Sequence, residues 1–402
     1  MKAIIHSLID TDAYKLYMQQ AVFELYPTCE ITAEFRCRNS ENLGDYVQSI
    51  KQQIDGMSCI QLTDDEYLFL KSLNLFSDRY LNWLKDYRFN PDQVIVSNHS
   101  GKLNIQIKGL WQETILWEVP LLAIISEVAH KAKQIKTNEE MVDAAVIQLK
   151  NNLELFKEKA TQLKIDLTQY RLIEFGTRRR YSYAVQSEII KTLKQHSLNV
   201  AEHFFSGTSN LHFAHLYQLK PIGTQAHEWF QAHQQLAPNL QVSQRFALSQ
   251  WLTVYPTQLP IALTDCINMD AFLRDFTLEF ASKFKGLRHD SGDPIIWGEK
   301  ALAHYRKLGL TTHDKSLVFS DNLDLLKSLT IYEHFQGQIQ TSFGIGTRLT
   351  CDIPGIKPHN IVIKLTSCNG KPVAKISDEP GKIICTDKKF ISELANAFNI
   401  QV

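Results

Sequence analysis

No stretch of this 402-residue chain stays apolar for longer than Val119–Ile125. That is far short of the roughly 20 residues a helix needs to cross a bilayer, so a spanning helix is excluded. The first twelve residues, M-K-A-I-I-H-S-L-I-D-T-D, meet acids too early for a signal peptide. The seven cysteines contain no C-x-x-C pair, and an odd, unpatterned set fits reduced thiols rather than a disulfide frame or a zinc site. These absences predict a soluble cytoplasmic protein with no membrane partner. An excess of either charge is also missing, since 43 Lys and Arg balance 43 Asp and Glu. A nucleic-acid partner is therefore not expected, because such proteins are usually basic overall or along one stripe. Positive charge gathers at Arg178–Arg180 only as a local cluster. Internal repeats and low-complexity segments are absent as well.

What is present is ordinary globular material, 44% hydrophobic and 21% charged, in a chain long enough for two or three domains. Asp10 or Thr11 opens a helix with Tyr14, Met18 and Ala21 on one face. I-T-A-E-F-R-C-R at 31–38 alternates as a strand with one wet face. Residues 41–90 read as mostly helical, and 93–110 as a hairpin turning at Asn98–Gly101. From about 120 the texture changes to long helices (121–133, 138–164), then to short apolar strands, each followed by a polar turn and a helix. The strands are expected at Arg171–Phe175, His203–Phe205, Pro221–Gly223, Ile261–Leu263, Phe284–Leu287, Ser316–Phe319 and Ile339–Phe343. This alternation predicts an α/β barrel with its site in the turns at the strands' C-terminal ends. The expected domains are 1–120 (α+β), 121–354 (barrel) and 355–402, a strand pair and a last helix returning to the first domain.

The turns carry the chemistry. G-L-R-H-D-S-G-D-P at 286–294 offers Arg288, Asp290, Ser291 and Asp293 between two glycines, where a helix begins. Close carboxylates suit a Mg²⁺–phosphate complex or ribose hydroxyls, and a glycine-rich turn before a helix suits phosphate. The plainer reading is a polar turn with an Asp cap. E-F-G-T-R-R-R at 174–180 presents guanidinium forks that match carboxylate or phosphate two-pronged, or else a solvated helix start. Phe175 there could stack on an aromatic ring, although a core role is commoner. S-G-T-S-N at 206–210 is a small hydroxyl-rich loop, and F-G-I-G-T at 343–347 a cradle of backbone N–H groups. His227 follows a strand, and Asp265 ends the next one. An Asp bonded to one ring nitrogen leaves the other as nucleophile or base, whereas a lone His is ordinarily a surface or core residue.

Taken in order, T-D-A-Y-K (11–15), E-F-G-T-R-R-R (174–180), F-S-G-T-S-N (205–210), G-T-Q-A-H-E-W (223–229), G-L-R-H-D-S-G-D-P (286–294), S-D-N (320–322) and F-G-I-G-T (343–347) strongly resemble the nicotinate phosphoribosyltransferase family over nearly the whole chain. The resemblance implies a type II phosphoribosyltransferase fold, an irregular α/β barrel plus an α+β domain built from both chain ends. It implies transfer of phosphoribose from 5-phosphoribosyl 1-diphosphate to nicotinate, driven by ATP, with Mg²⁺ held alongside diphosphate by ligands left open. Asp290 and Asp293 are then placed on ribose hydroxyls or Mg²⁺. Arg288, Asp290, Ser291, Gly292, Asp293, Ser320, Asp321, Gly344, Gly346 and Thr347 are expected to bind the phosphosugar. Tyr14, Phe175, Arg178, Ser209 and Arg288 are expected around nicotinate, with Tyr14 lent by a neighbouring subunit, which implies a homodimer with a shared site. His227, Asp265 and Asp290 are the expected catalytic residues, with His227 transiently phosphorylated by ATP.

Three rivals fit less well. Related nicotinamide enzymes place an Asp in the 206–210 loop, where Ser209 stands here, and an acid would repel a carboxylate. A quinolinate enzyme is disfavoured by the chain's length and the His227 loop. A catalytically silent phosphosugar-binding protein would have no need of His227, Asp290, Asp293 and the arginines together.

Overall fold

The protein, seen here as a computed structural model, is described except at residues 1, 40, 201–203, 380–382, 384, 386 and 402, with backbone only at 198–200. Two sheets organise it. Strands β1 (Glu30–Cys37), β2 (Val94–His99) and β3 (Lys102–Leu110) come from the first third of the chain. The barrel strands are β4 (Leu172–Glu174), β5 (Phe205–Thr208), β6 (Ile261–Leu263), β7 (Gly286–His289), β8 (Ser316–Phe319) and β9 (Gln340–Ile345). Strands β10 (Ile361–Cys368) and β11 (Lys371–Pro372) follow.

The first sheet is antiparallel, in the order β11-β10-β1-β3-β2. β1 buries Ile31, Ala33 and Phe35 and leaves their neighbours partly open, the period of two that its sequence predicts. The β2–β3 hairpin turns through Ser100 and Gly101, both at positive φ, with the Gly101 N–H donating to Asn98 Oδ1. β10 arrives from the far end of the chain and pairs with β1, Ala33 opposite Leu365 and Phe35 opposite Ile363. The sheet is thus built from both chain ends, as the fold class requires.

The second sheet is parallel, in the order β5-β4-β9-β8-β7-β6. Its interior is a stack of rings: Tyr170 on Phe343 at 5.0 Å and Phe343 on Phe319 at 5.7 Å, all fully buried. Each such ring contributes about 1.5–3 kcal/mol by leaving water. Three expected strands are corrected. β5 begins where His203–Phe205 was to end and runs on to Thr208; His203 itself lies outside the described residues. β7 starts two residues later than expected, because Phe284 closes the preceding helix Leu278–Lys283. Pro221–Gly223 forms one bridge to Thr208 rather than a strand. Pro221 has no N–H to give, and a Cβ on Gly223 would lie 2.7 Å from the Tyr14 backbone nitrogen, so the ladder cannot continue there.

The barrel's seam is closed irregularly as a result. Ile222 N donates to Thr208 O (2.9 Å) on one edge, and on the other Leu263 N donates to the side chain of Gln225 (3.4 Å). Residues 355–402 divide between the two sheets. β10 and β11 join the first, then Ile376 N donates to Cys266 O (2.9 Å) at the barrel mouth. The last helix, Lys388–Ala397, packs Phe390 and Leu394 with Ile267 and Ala271 of the barrel.

Candidate active site

The turns after β6 and β7 and the start of helix His227–Leu236 converge at the barrel's C-terminal mouth. His227 is the first residue of that helix and is buried. Its Nε2 lies 2.8 Å from Asp265 Oδ1. The other carboxylate oxygen of Asp265 accepts from Lys375 Nζ and from Ser291 Oγ, each at 2.7 Å. Burial, reinforced by the charge of Lys375, holds the His227 imidazole down at about 4, against the pull of Asp265. Burial acts to raise Asp265, but His227 and Lys375 together hold it well below the carboxylate range. A charged Asp265 facing a neutral ring makes Nε2 the protonated nitrogen. The lone pair of the ring is therefore on Nδ1.

Beside this pair, Arg288 is fully engaged. Its Nη2 donates to Asp290 Oδ1 (3.0 Å), Nε to Ser320 Oγ (2.8 Å), and Nη1 to Thr224 Oγ1 and Gln225 O (3.2 Å each). Ser320 Oγ also lies 2.9 Å from Asp290 Oδ1. Asp290 Oδ2 is left facing His227 at 3.8 Å. Desolvation works against ionising Asp290, yet Arg288 and His227 hold its carboxyl far below the usual range.

Opposite lies a second charged group. Lys15 Nζ sits between Glu118 (2.6 Å) and Glu228, whose other oxygen accepts from Trp111 Nε1 (2.7 Å). Arg178 faces Asp12 at 3.7 Å and Glu118 at 3.6 Å. One cleft is lined by Tyr14, Lys15, Glu118, Arg178, His227, Glu228, Arg288, Asp290 and Lys364, with Ile31, Ala33 and Ile107 of the first sheet as its apolar wall.

Five expected site residues, Tyr14, Arg178, His227, Arg288 and Asp290, thus share one cleft. The others do not line it. Ser291 holds Asp265, and Ser320 holds Arg288. Asp293 is exposed and caps helix Pro294–Lys307, accepting from Ile295 N and Ile296 N at 2.9 Å. Gly292 sits at φ +83° in that turn, a conformation that favours glycine. Phe175 lies behind Arg288, 5.8 Å from its guanidinium, and a Cβ on Gly344 would come within 2.3 Å of its ring. Gly346 likewise abuts the Phe175 carbonyl, and Thr347 opens the short helix Thr347–Thr350. Asp321 is partly buried, and its charge is felt at Arg179 and His289.

Two placements bear on the expectations for nicotinate. Tyr14 lines the cleft of its own chain, because the bridge between Asp12 and Asn210 ties the start of helix Ala13–Leu25 to the barrel's own Ser206–Asn210 loop. Ser209 is buried and donates to Asp12 Oδ1 (2.7 Å), so an acid does stand beside Arg178, one layer behind the serine. Asp12, Lys15, Glu118 and Lys364 were missed. Asp12 and Lys15 sit inside the T-D-A-Y-K motif, which was a usable signal; Glu118 and Lys364 carry none.

The three arginines separate. Arg180 is fully buried and paired two-pronged with Asp10, both bonds at 2.9 Å. Arg178 faces the cleft. Burial and the like charges of Arg178 and Arg38 lower Arg179 to about 10. As a metal site, His227, Asp265 and Asp290 bring ligand atoms within 4.8 Å. Asp265 is already saturated by Lys375, Ser291 and His227, and a nitrogen ligand suits Mg²⁺ poorly. Asp290 Oδ2, which faces His227 at 3.8 Å, is the oxygen of this group that could take a Mg²⁺ ion carried by a diphosphate.

Comparison with known proteins agrees with this geometry. The nicotinate phosphoribosyltransferase (NAPRTase) family matches residues 170–402, and the N-terminal domain of the same family matches 9–126. A nicotinate phosphoribosyltransferase of Escherichia coli is 56% identical over 397 residues, covering 99% of this chain and 96% of its own. The crystal structure of nicotinate phosphoribosyltransferase from Vibrio cholerae superposes with a TM-score of 0.94 at 39% identity, covering 100% of this chain and 95% of that one. The enzyme from Porphyromonas gingivalis gives 0.89 at 33% identity, over 99% of this chain and 100% of that one.

Proposed function

The chain belongs to the nicotinate phosphoribosyltransferase family, an enzyme of NAD synthesis from nicotinate, and from that premise we propose that it couples the transfer to ATP through His227. The observation that carries this reading is the buried His227–Asp265 pair at 2.8 Å, with Nδ1 left to react. A neutral imidazole is a nucleophile, and Asp265 stabilises the imidazolium that attack creates. Nδ1 attacks the γ-phosphorus of ATP, the bond to the bridging oxygen breaks, and ADP leaves. The ring keeps its Nε2 proton on Asp265.

Lys375 and Arg288 are fixed by hydrogen bonds before the added charge arrives, so these cations need not reorganise to compensate it. In the transfer step the pyridine nitrogen attacks C1 of 5-phosphoribosyl 1-diphosphate and the C1–O bond to diphosphate breaks. Water then releases phosphate from His227. The sugar becomes cationic on the way, and Asp290, held ionised by Arg288, is the carboxylate assigned to stabilise that charge. Asp290 would hold Mg²⁺ brought in with the diphosphate, and the ion would supply neutralisation of the leaving group's charge. A cytoplasmic location belongs with this reading; among the described residues, no helix is long and apolar enough to cross a membrane.

The test is a steady-state assay of mononucleotide and diphosphate formation with nicotinate or nicotinamide, with and without ATP. The reading expects nicotinate to be used, nicotinamide to be poor, and ATP to lower the KM for the phosphosugar. Turnover of nicotinate that is indifferent to ATP contradicts the coupling.

A further inference from the structure

The cations around the cleft differ in what they already hold. Lys15 is spent on Glu118 and Glu228. Arg288 gives every nitrogen to Ser320, Thr224, Gln225 and Asp290. Arg178 keeps its N–H donors free of hydrogen bonds among the described residues, but its charge is matched by Asp12 and Glu118, both within 4 Å. Lys364 is the exception. It lines the same cleft from β10, and among the described residues its ammonium makes no ion pair and no hydrogen bond. Of the four cations that line the cleft, Lys15, Arg178 and Arg288 each have a carboxylate within 4 Å, whereas Lys364 has none among the described residues.

From this placement we infer that Lys364 is a specificity-determining residue, the charge that receives the carboxylate of nicotinate while Arg178 supplies directed N–H donors. A partly buried ammonium without a partner is costly in an empty site, and an anion entering beside it removes that cost. The groups that face Lys364 support the assignment. The charges of Glu118, Lys375, Arg178 and Asp290 all act on it, and burial together with the two cations lowers its ammonium to about 8. The uncharged amide of nicotinamide gives Lys364 nothing to pair with. Discrimination between acid and amide then comes from a positive residue on the sheet wall. This inference rests on nicotinate being the substrate.

The experiment compares wild type, Lys364→Met and Lys364→Arg as full-length enzymes, measuring kcat and KM for nicotinate, for nicotinamide and for the phosphosugar. Methionine keeps an unbranched, mostly apolar stem and drops the charge; arginine keeps the charge. Losing one charge-assisted contact predicts a rise in the nicotinate KM of about ten- to a hundredfold in Lys364→Met, with kcat and the phosphosugar KM close to wild type. The nicotinamide KM is expected to be unchanged, and Lys364→Arg to recover most of the nicotinate affinity. A nicotinate KM within twofold of wild type in folded Lys364→Met overturns the inference. So does a rise confined to the phosphosugar KM, which would place Lys364 on phosphate instead. Failure of the wild type to use nicotinate would undo the substrate reading itself, a separate result.

Discussion

Nε2 of His227 points at Oδ1 of Asp265 from 2.8 Å, while Lys375 Nζ and Ser291 Oγ hold the other oxygen of the same carboxylate at 2.7 Å. Asp265 is thereby fixed on three sides, and the ring it orients can turn only Nδ1 outward. Asp265→Asn keeps an acceptor for the Nε2 proton but removes the charge that stabilises the imidazolium. ATP hydrolysis is expected to fall by about a hundredfold or more. ATP-independent mononucleotide synthesis should continue at a slower rate. Both are read in one assay by following ADP and mononucleotide.

The Arg178 and Arg180 substitutions should separate function from stability. Arg180→Ala leaves Asp10 buried and unpaired, a loss of about 3–5 kcal/mol by chemical denaturation. Arg178→Ala removes longer contacts to Asp12, which keeps its bond from Ser209, and should cost clearly less stability than Arg180→Ala. It should weaken nicotinate binding by about 2 kcal/mol or more. Equal effects of both substitutions on stability would show that Arg178 is structural too.

Tyr14 on its own chain's cleft predicts the outcome of a mixing experiment. Tyr14→Ala and Asp290→Ala subunits damage different sites in a shared-site dimer but the same kind of site here. Mixed, they should recover no activity beyond the sum of the two. Clear recovery in demonstrated heterodimers would mean that the working cleft borrows Tyr14 from a neighbour.

Two pH effects follow from the buried bases. Lys364 is held at about 8 in the empty cleft, and a bound carboxylate raises it. Nicotinate affinity is therefore full below about pH 8 and declines as the pH rises beyond it, and Lys364→Met should lack that decline. His130, His227 and His233 are each lowered by burial from 6.5 to about 4. Unfolded, they take up protons near 6.5, whereas folded they do not until about 4. Stability is thus fully present above about pH 6.5 and falls as the pH drops from there toward 4, which a series of denaturant midpoints would display.

Much of this was legible because the signals are local. The strands at 261–263 and 316–319 are short apolar runs bounded by turn residues, and they fold where their sequence says. The helix start at His227, the turn at Asp265, and β7 with the turn after it, which bear Arg288 and Asp290, meet at one mouth, as the barrel reading requires. What stayed hidden depends on distant pairing. Lys364 reads as the wet position of an alternating strand, and only the pairing of β10 with β1 brings it to the cleft. Glu118 opens the apolar helix Glu118–Ala132, where an acid looks like a dipole match at a helix start. The seam at Pro221–Gly223 looked like a strand because nothing in its composition announces the crowding by Tyr14.

The coupling of phosphoribosyl transfer to ATP stands or falls on one labelling experiment. Wild-type enzyme incubated with γ-labelled ATP should acquire protein-bound label that is acid-labile and base-stable, the behaviour of a phosphohistidine, and His227→Ala should acquire none. If wild type takes up no such label, or if His227→Ala is labelled as well as wild type, His227 is not the phosphoryl carrier.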